Sequence, residues 1–207
     1  MKNRTFLKST LAAACALLAA SSARASVTYY VNVNTSALVA NISAPFSLDF
    51  QLTGSAGNTA TVSNFNFGGG SATPGTENTF GGASGSVGST VVLSDASNFS
   101  NEFFQEFTPG STLSFTINLD SIIGNPTPDA FSFSILDGTL SNITTTGLGD
   151  SLLMVNINGT SYGTQTMQTG SGTGAFSGVS LTAVPEPSAA LLGVMGCGLA
   201  FVRRRRA

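Results

Sequence analysis

Thr112-Leu113-Ser114-Phe115-Thr116-Ile117-Asn118-Leu119 decides the fold class of this chain. Its apolar residues all fall on one parity and its hydroxyl and amide residues on the other, the period of a strand with one buried face. The pattern recurs on both sides. Val27, Tyr29, Val31 and Val33 oppose Thr28, Tyr30 and Asn32; Phe46, Leu48, Phe50 and Leu52 oppose Ser47, Asp49, Gln51 and Thr53. Phe131, Phe133 and Ile135 follow, then Leu153, Val155 and Ile157, and finally Val179, Leu181 and Ala183. In Thr59–Phe67 the parity shifts between Val62 and Phe65, which predicts a bulge.

Turn residues separate these runs: Gly54–Asn58, Gly124–Pro128, Asp137-Gly138 and Asn158-Gly159. Residues 68–88, rich in glycine and serine, read as a long surface loop or, alternatively, a glycine-rich cover over a sheet edge. No comparable helical pattern occurs between the two terminal segments. The expected fold is all-β, an antiparallel β-sandwich of roughly eight to ten strands, with the jelly roll as one form of it.

Positive charge is confined to the ends. All eight basic residues are Lys2, Arg4, Lys8, Arg24 and Arg203–Arg206. The stretch 26–183 therefore carries nine acids, no Lys, Arg or His, and a formal charge of −9. Such a body repels nucleic acid, having no cation with which to displace counterions. Both cysteines, Cys15 and Cys197, lie in the terminal segments, so the body has neither a disulfide nor a thiolate metal site.

The first twenty-five residues have the layout of a secretory signal peptide: basic Lys2, Arg4 and Lys8, apolar Leu11–Ala20, then Ala23-Arg24-Ala25. Signal peptidase cleavage after Ala25 would leave Ser26 as the new N-terminus. Cys15 sits midway through the apolar region and reads as a small apolar residue rather than a lipidation site.

At the other end, 184–207, Val184-Pro185-Glu186-Pro187-Ser188 precedes an uncharged stretch, Ala189–Val202, and then Arg203, Arg204, Arg205 and Arg206. As a helix the stretch would rise about 21 Å, short of the ~30 Å hydrocarbon core unless arginines snorkel. The arginines would stay in the cytoplasm by the positive-inside rule. An ordinary C-terminal anchor would account for the span and the charges. Proline-acid-proline, short span and arginine run in this order resemble the PEP-CTERM sorting signal of Gram-negative bacteria, also catalogued as the ice-binding-protein C-terminal domain.

That resemblance implies recognition of Pro185, Glu186 and Pro187 by a membrane-embedded transpeptidase, exosortase, which removes the helix. Arg203–Arg206 would act as stop-transfer anchor in the inner membrane. It further implies delivery to the cell surface or extracellular matrix, in bacteria that make exopolysaccharide and form biofilm or floc. It covers only the tail and implies no activity for the body.

Catalytic chemistry has few residues to work with. Ser-His-Asp and Cys-His arrangements are excluded for want of histidine. A two-carboxylate glycosidase needs only paired acids, and Glu102 and Glu106 in Asn-Glu-Phe-Phe-Gln-Glu-Phe would share a helix face or a strand parity. The plainer expectation is a solvated acidic edge beside core Phe103, Phe104 and Phe107. Asp120, Asp129, Asp137 and Asp150 flank predicted strands, but no Asp-x-Asp-x-Asp-Gly loop is present, so turn roles are expected of each. The sequence thus points to a non-enzymatic exported protein without cofactor or defined metal site. The alternative is a carbohydrate-binding module using Tyr30 or Tyr162, since Tyr29 and Tyr30 cannot both face solvent.

Overall fold

The computed structural model describes residues 24–55, 57–122, 129–143, 145–146, 151–158, 161–166, 168–169 and 179–184. Ala23, the tail residues Pro185, Glu186, Pro187 and Arg203–Arg206, and the segment 189–202 lie outside them, as does Asp150. No helix among the described residues is long and apolar enough to cross a membrane.

The described chain is built from β1 (Arg24–Asn34), β2 (Phe46–Thr53), β3 (Thr59–Asn66), β4 (Ser71–Ala72), β5 (Asn78–Phe80), β6 (Ala83–Gly85), β7 (Thr90–Ser94), β8 (Ser100–Thr108), β9 (Thr112–Ile122), β10 (Asp129–Leu136), β11 (Thr145–Thr146), β12 (Leu153–Asn158), β13 (Ser161–Thr166), β14 (Gln168–Thr169) and β15 (Val179–Val184). A single 3-10 turn, Ser36–Leu38, follows β1. One sheet has the order β15-β1-β9-β3-β7-β6. The other runs β13-β12-β10-β2-β8-β4, with β5 also on β8, and β11 pairs β14 separately. Every pairing is antiparallel.

The two sheets face each other across one core. The even spacing of Phe46, Leu48, Phe50 and Leu52 turns all four inward from β2, and the same period turns Leu113, Phe115, Ile117 and Leu119 inward from β9; all eight are fully buried. Phe50 from one sheet meets Phe115 from the other edge-on at 5.5 Å, and Phe115 meets Phe133 at 5.0 Å. Edge-to-face contact sets the positive rim of one ring against the negative face of the next. The predicted bulge is present: the β3–β9 register shifts between Ser63 and Asn66, where Asn64 takes φ +57.

Two expectations need correction. For residues 68–88 the surface-loop reading gives way to its alternative, a cover over a sheet edge, because β4, β5 and β6 lie within them and pair with β8 and β7. They cover an edge strand of each sheet. Buried Gln105 on β8 holds this cover: its Nε2 donates to Thr73 O (3.0 Å) and Glu77 Oε1 (2.9 Å), and its Oε1 accepts from Val87 N (2.8 Å). Glycine is needed at Gly85, where φ is +112 and a Cβ would lie 2.0 Å from Thr90 O. The second correction is Phe104. On β8 it shares the half-exposed parity of Glu102 and Glu106, whereas Phe103 and Phe107 are core.

Both ends of the described chain leave from one end of the first sheet. Val184, last in β15, pairs with Thr28, four residues into β1. Ser26 and Asp120 pair there, and Thr59 pairs with both Asp120 and Ser94. The expected cleavage point after Ala25 falls within the first β1–β9 pairs, and Ser26 is exposed.

Candidate functional site

Three places concentrate polar chemistry. The first is the outer face of the first sheet, where β1, β9 and β3 turn Thr28, Asn118 and Thr61 outward in one row and Tyr30, Thr116 and Ser63 in the next. Asn118 Nδ2 donates to Thr28 Oγ1 at 3.0 Å. Tyr30 stands 42% exposed among these groups, while Tyr29 is buried. Side-chain hydrogen bonds to Ser114 and Asn32 hold the Tyr30 phenol below its ordinary pKa. The other sequence candidate, Tyr162, is half-buried against the core.

A second place is the outward parity of β2 and β8. Glu102 and Glu106 lie four residues apart on one strand, about 13 Å at ~3.3 Å per residue. The closer neighbour of Glu102 is Asp49. Gln51 Nε2 donates to Asp49 Oδ2 (2.9 Å) and Glu102 Oε1 (3.4 Å). Although Asp49 takes the outward parity, it is 2% exposed. Burial first, and Glu102 second, push its carboxyl up to about 7, against a smaller downward pull from Gln51.

The third lies between the sheets, at the end from which both chain ends leave. Asn58 precedes β3, Asp95 follows β7 and Asp129 opens β10, and all three are buried. The Asn58 side-chain nitrogen serves two carboxylates at once, Asp95 Oδ2 at 2.7 Å and Asp129 Oδ2 at 2.6 Å. Its backbone N–H donates to Asp95 Oδ1 at 2.5 Å, and Asp95 N–H returns a bond to Asn58 O at 3.2 Å. Asp129 was visible in the sequence as a strand-flanking acid. Asp95 and Asn58 were not, because nothing in the linear order connects them to it.

Of the other strand-flanking acids, Asp137 takes the expected turn role, whereas Asp120 does not, lying within β9 opposite Ser26 on β1 and Thr59 on β3. Asp137 Oδ1 accepts from Thr139 N (2.8 Å), Thr139 Oγ1 (2.7 Å) and Ser141 N (3.1 Å), and these bonds, the Thr139 hydroxyl foremost, lower its pKa. Asp120 is half-buried on the outer parity of β9. Among the described residues no three His, Cys, Asp or Glu side chains converge.

The fold and its surfaces define an all-antiparallel, two-sheet β-protein with hydroxyl- and amide-rich outer faces and an acidic interior at one end. Comparison of the chain with family models, with curated proteins and with solved structures finds no match.

Proposed function

We propose that this is an exported, non-enzymatic surface or matrix protein, processed at both ends and associated with exopolysaccharide or biofilm. The signal peptide 1–25 carries the chain to export, and signal peptidase releases Ser26. The tail 184–207 holds the precursor in the inner membrane until exosortase acts at Pro185-Glu186-Pro187. One structural observation supports this order of events: β1 and β15 are neighbours, with Thr28 opposite Val184. A body whose two ends leave side by side can hang from two membrane segments at once without strain on its core. The absence of Lys and Arg from 26–183 also suits translocation between two cytoplasmic basic clusters.

The test is mass spectrometry of the mature protein from its native host. An N-terminus at Ser26 and loss of Ala189–Ala207 are expected. Replacing Pro185, Glu186 and Pro187 with alanine should shift nearly all of the product to a membrane-bound precursor. A surface form that keeps Arg203–Arg206 would refute exosortase processing and leave a simple anchor.

A carbohydrate-binding role for the body is the second reading, favoured by the exposure of Tyr30 within a neutral hydroxyl and amide face. An aromatic ring can stack on a sugar face while neighbouring Ser, Thr and Asn groups bond its hydroxyls. Tyr30→Ala is then expected to weaken retention on host exopolysaccharide in affinity electrophoresis by roughly 2–10-fold. Unchanged mobility would count against this face as the binding surface.

A further inference from the structure

We propose that Asp95, Asp129 and Asn58 form a binding site for a hard divalent cation, calcium, at the end of the molecule where both chain ends leave. Asp95 and Asp129 are 2% and 3% exposed, and Asn58 is 1% exposed. Two carboxylates withdrawn from water repel each other unless something positive lies between them. Nothing of that kind exists in residues 26–183, which contain no Lys, Arg or His. Among the described residues, the donor they share is a single amide nitrogen, that of Asn58.

Asp129 supplies the observation that points to a ligand. Its Oδ2 accepts from Asn58, but its buried Oδ1 has no hydrogen-bond partner among the described residues. A buried polar atom without a partner is costly, and proteins ordinarily satisfy it. The space in front of it is kept open by Gly54. A Cβ added there would lie 2.4 Å from Asp95 Oδ2 and 2.6 Å from Asp129 Oδ1. Those two oxygens therefore flank one small space that any larger residue would fill.

Calcium takes carboxylate, amide and carbonyl oxygens contributed by loops. Asp95 Oδ2 and both Asp129 oxygens provide three of them. A half-turn of the Asn58 amide would replace its nitrogen with Oδ1 and provide a fourth, and would also remove the crowding of one nitrogen by two carboxylates. Loop carbonyls and water would complete the shell. With only two charged ligands, affinity is expected at the weak end, about 10⁻⁴–10⁻³ M, as for extracellular calcium modules.

The experiment uses the full-length chain in mild detergent. Calorimetric titration with CaCl₂ should give one site per chain. In parallel, 10 mM CaCl₂ should raise Tm by about 3–10 °C over NaCl of equal ionic strength. Asp95→Asn and Asp129→Asn should each melt cooperatively and lose most of that rise, whereas Glu106→Gln, which removes a half-exposed acid, should keep it. The wild-type isotherm stands even if a variant fails to fold. No measurable isotherm, a rise no larger than with NaCl, or a rise fully retained in both Asp variants would each overturn the proposal.

Discussion

Raising the pH from about 4 to about 8 is expected to destabilise this protein, and Asp49→Asn to remove most of the loss. The Asp49 carboxyl is pushed from 3.8 to about 7 in the folded state, chiefly by burial and secondarily by Glu102. Within that window the folded protein keeps a proton that the unfolded chain has released, so stability falls as pH rises. The loss is complete once the pH passes the folded value. At about 1.4 kcal/mol per pH unit, the upper limit is near 4 kcal/mol. Among 150–250-residue domains that corresponds to roughly 8–16 °C in Tm.

The usual contributions in the other direction are weak here. Paired carboxylates normally make proteins more stable as pH rises through 4, but residues 26–183 have no basic side chain to pair with. Asp137 has a lowered pKa and so opposes the trend, yet it sits on an exposed turn where solvent screens the effect. Thermal melts at constant ionic strength, with chelator present, would check this. A wild-type Tm that rises between pH 5 and 8, or an Asp49→Asn variant that falls as steeply as wild type, would contradict it.

Asp49 also shows where sequence reading stops. Its outward parity between Leu48 and Phe50 correctly placed it on the outer sheet face. Parity tells which way a side chain points, not what covers it, and the near-complete burial of Asp49 depends on residues far away in the chain. The strands with clean alternation, β1, β2, β9, β10, β12 and β15, were legible because each turns its large apolar residues to one face, even where polar residues of the other parity, such as Ser47, Asp49 and Ser134, are also covered. The bulge in β3 was legible for the same reason, since an extra residue must invert parity.

β8 was ambiguous between helix and strand because Asn101 and Gln105 sit at inward positions, where apolar residues would have declared a strand. Those two residues face inward to bind the 68–88 cover, through Gly82 N at 2.7 Å and Val87 N at 2.8 Å. The strands of that cover are two or three residues long, too short to carry a period of their own. The Asn58–Asp95–Asp129 cluster is assembled across sequence separations of 37 and 71 residues. No local motif could announce it.

Phe50→Ala is expected to cost about 3–5 kcal/mol, the range for a large aromatic removed from a packed interior. Phe50 is fully buried, and its ring contacts Phe65, Phe115, Phe131 and Phe133 at centroid distances of 5.2–6.3 Å. Three of those partners, Phe115, Phe131 and Phe133, are themselves fully buried and cannot all move inward without leaving their own contacts. The cavity should therefore persist, adding its own penalty to the lost transfer energy. Against a typical total stability of about 5–15 kcal/mol, this substitution removes a third or more. Urea titration should show a large fall in midpoint with an unchanged slope, in one transition, because the ring touches both sheets. Phe99→Ala is the contrast: that ring is 66% exposed, and the change should stay within about 0.5 kcal/mol. A Phe50→Ala cost below about 1 kcal/mol, or a second transition in which one sheet outlasts the other, would mean that the two sheets do not share the core described here.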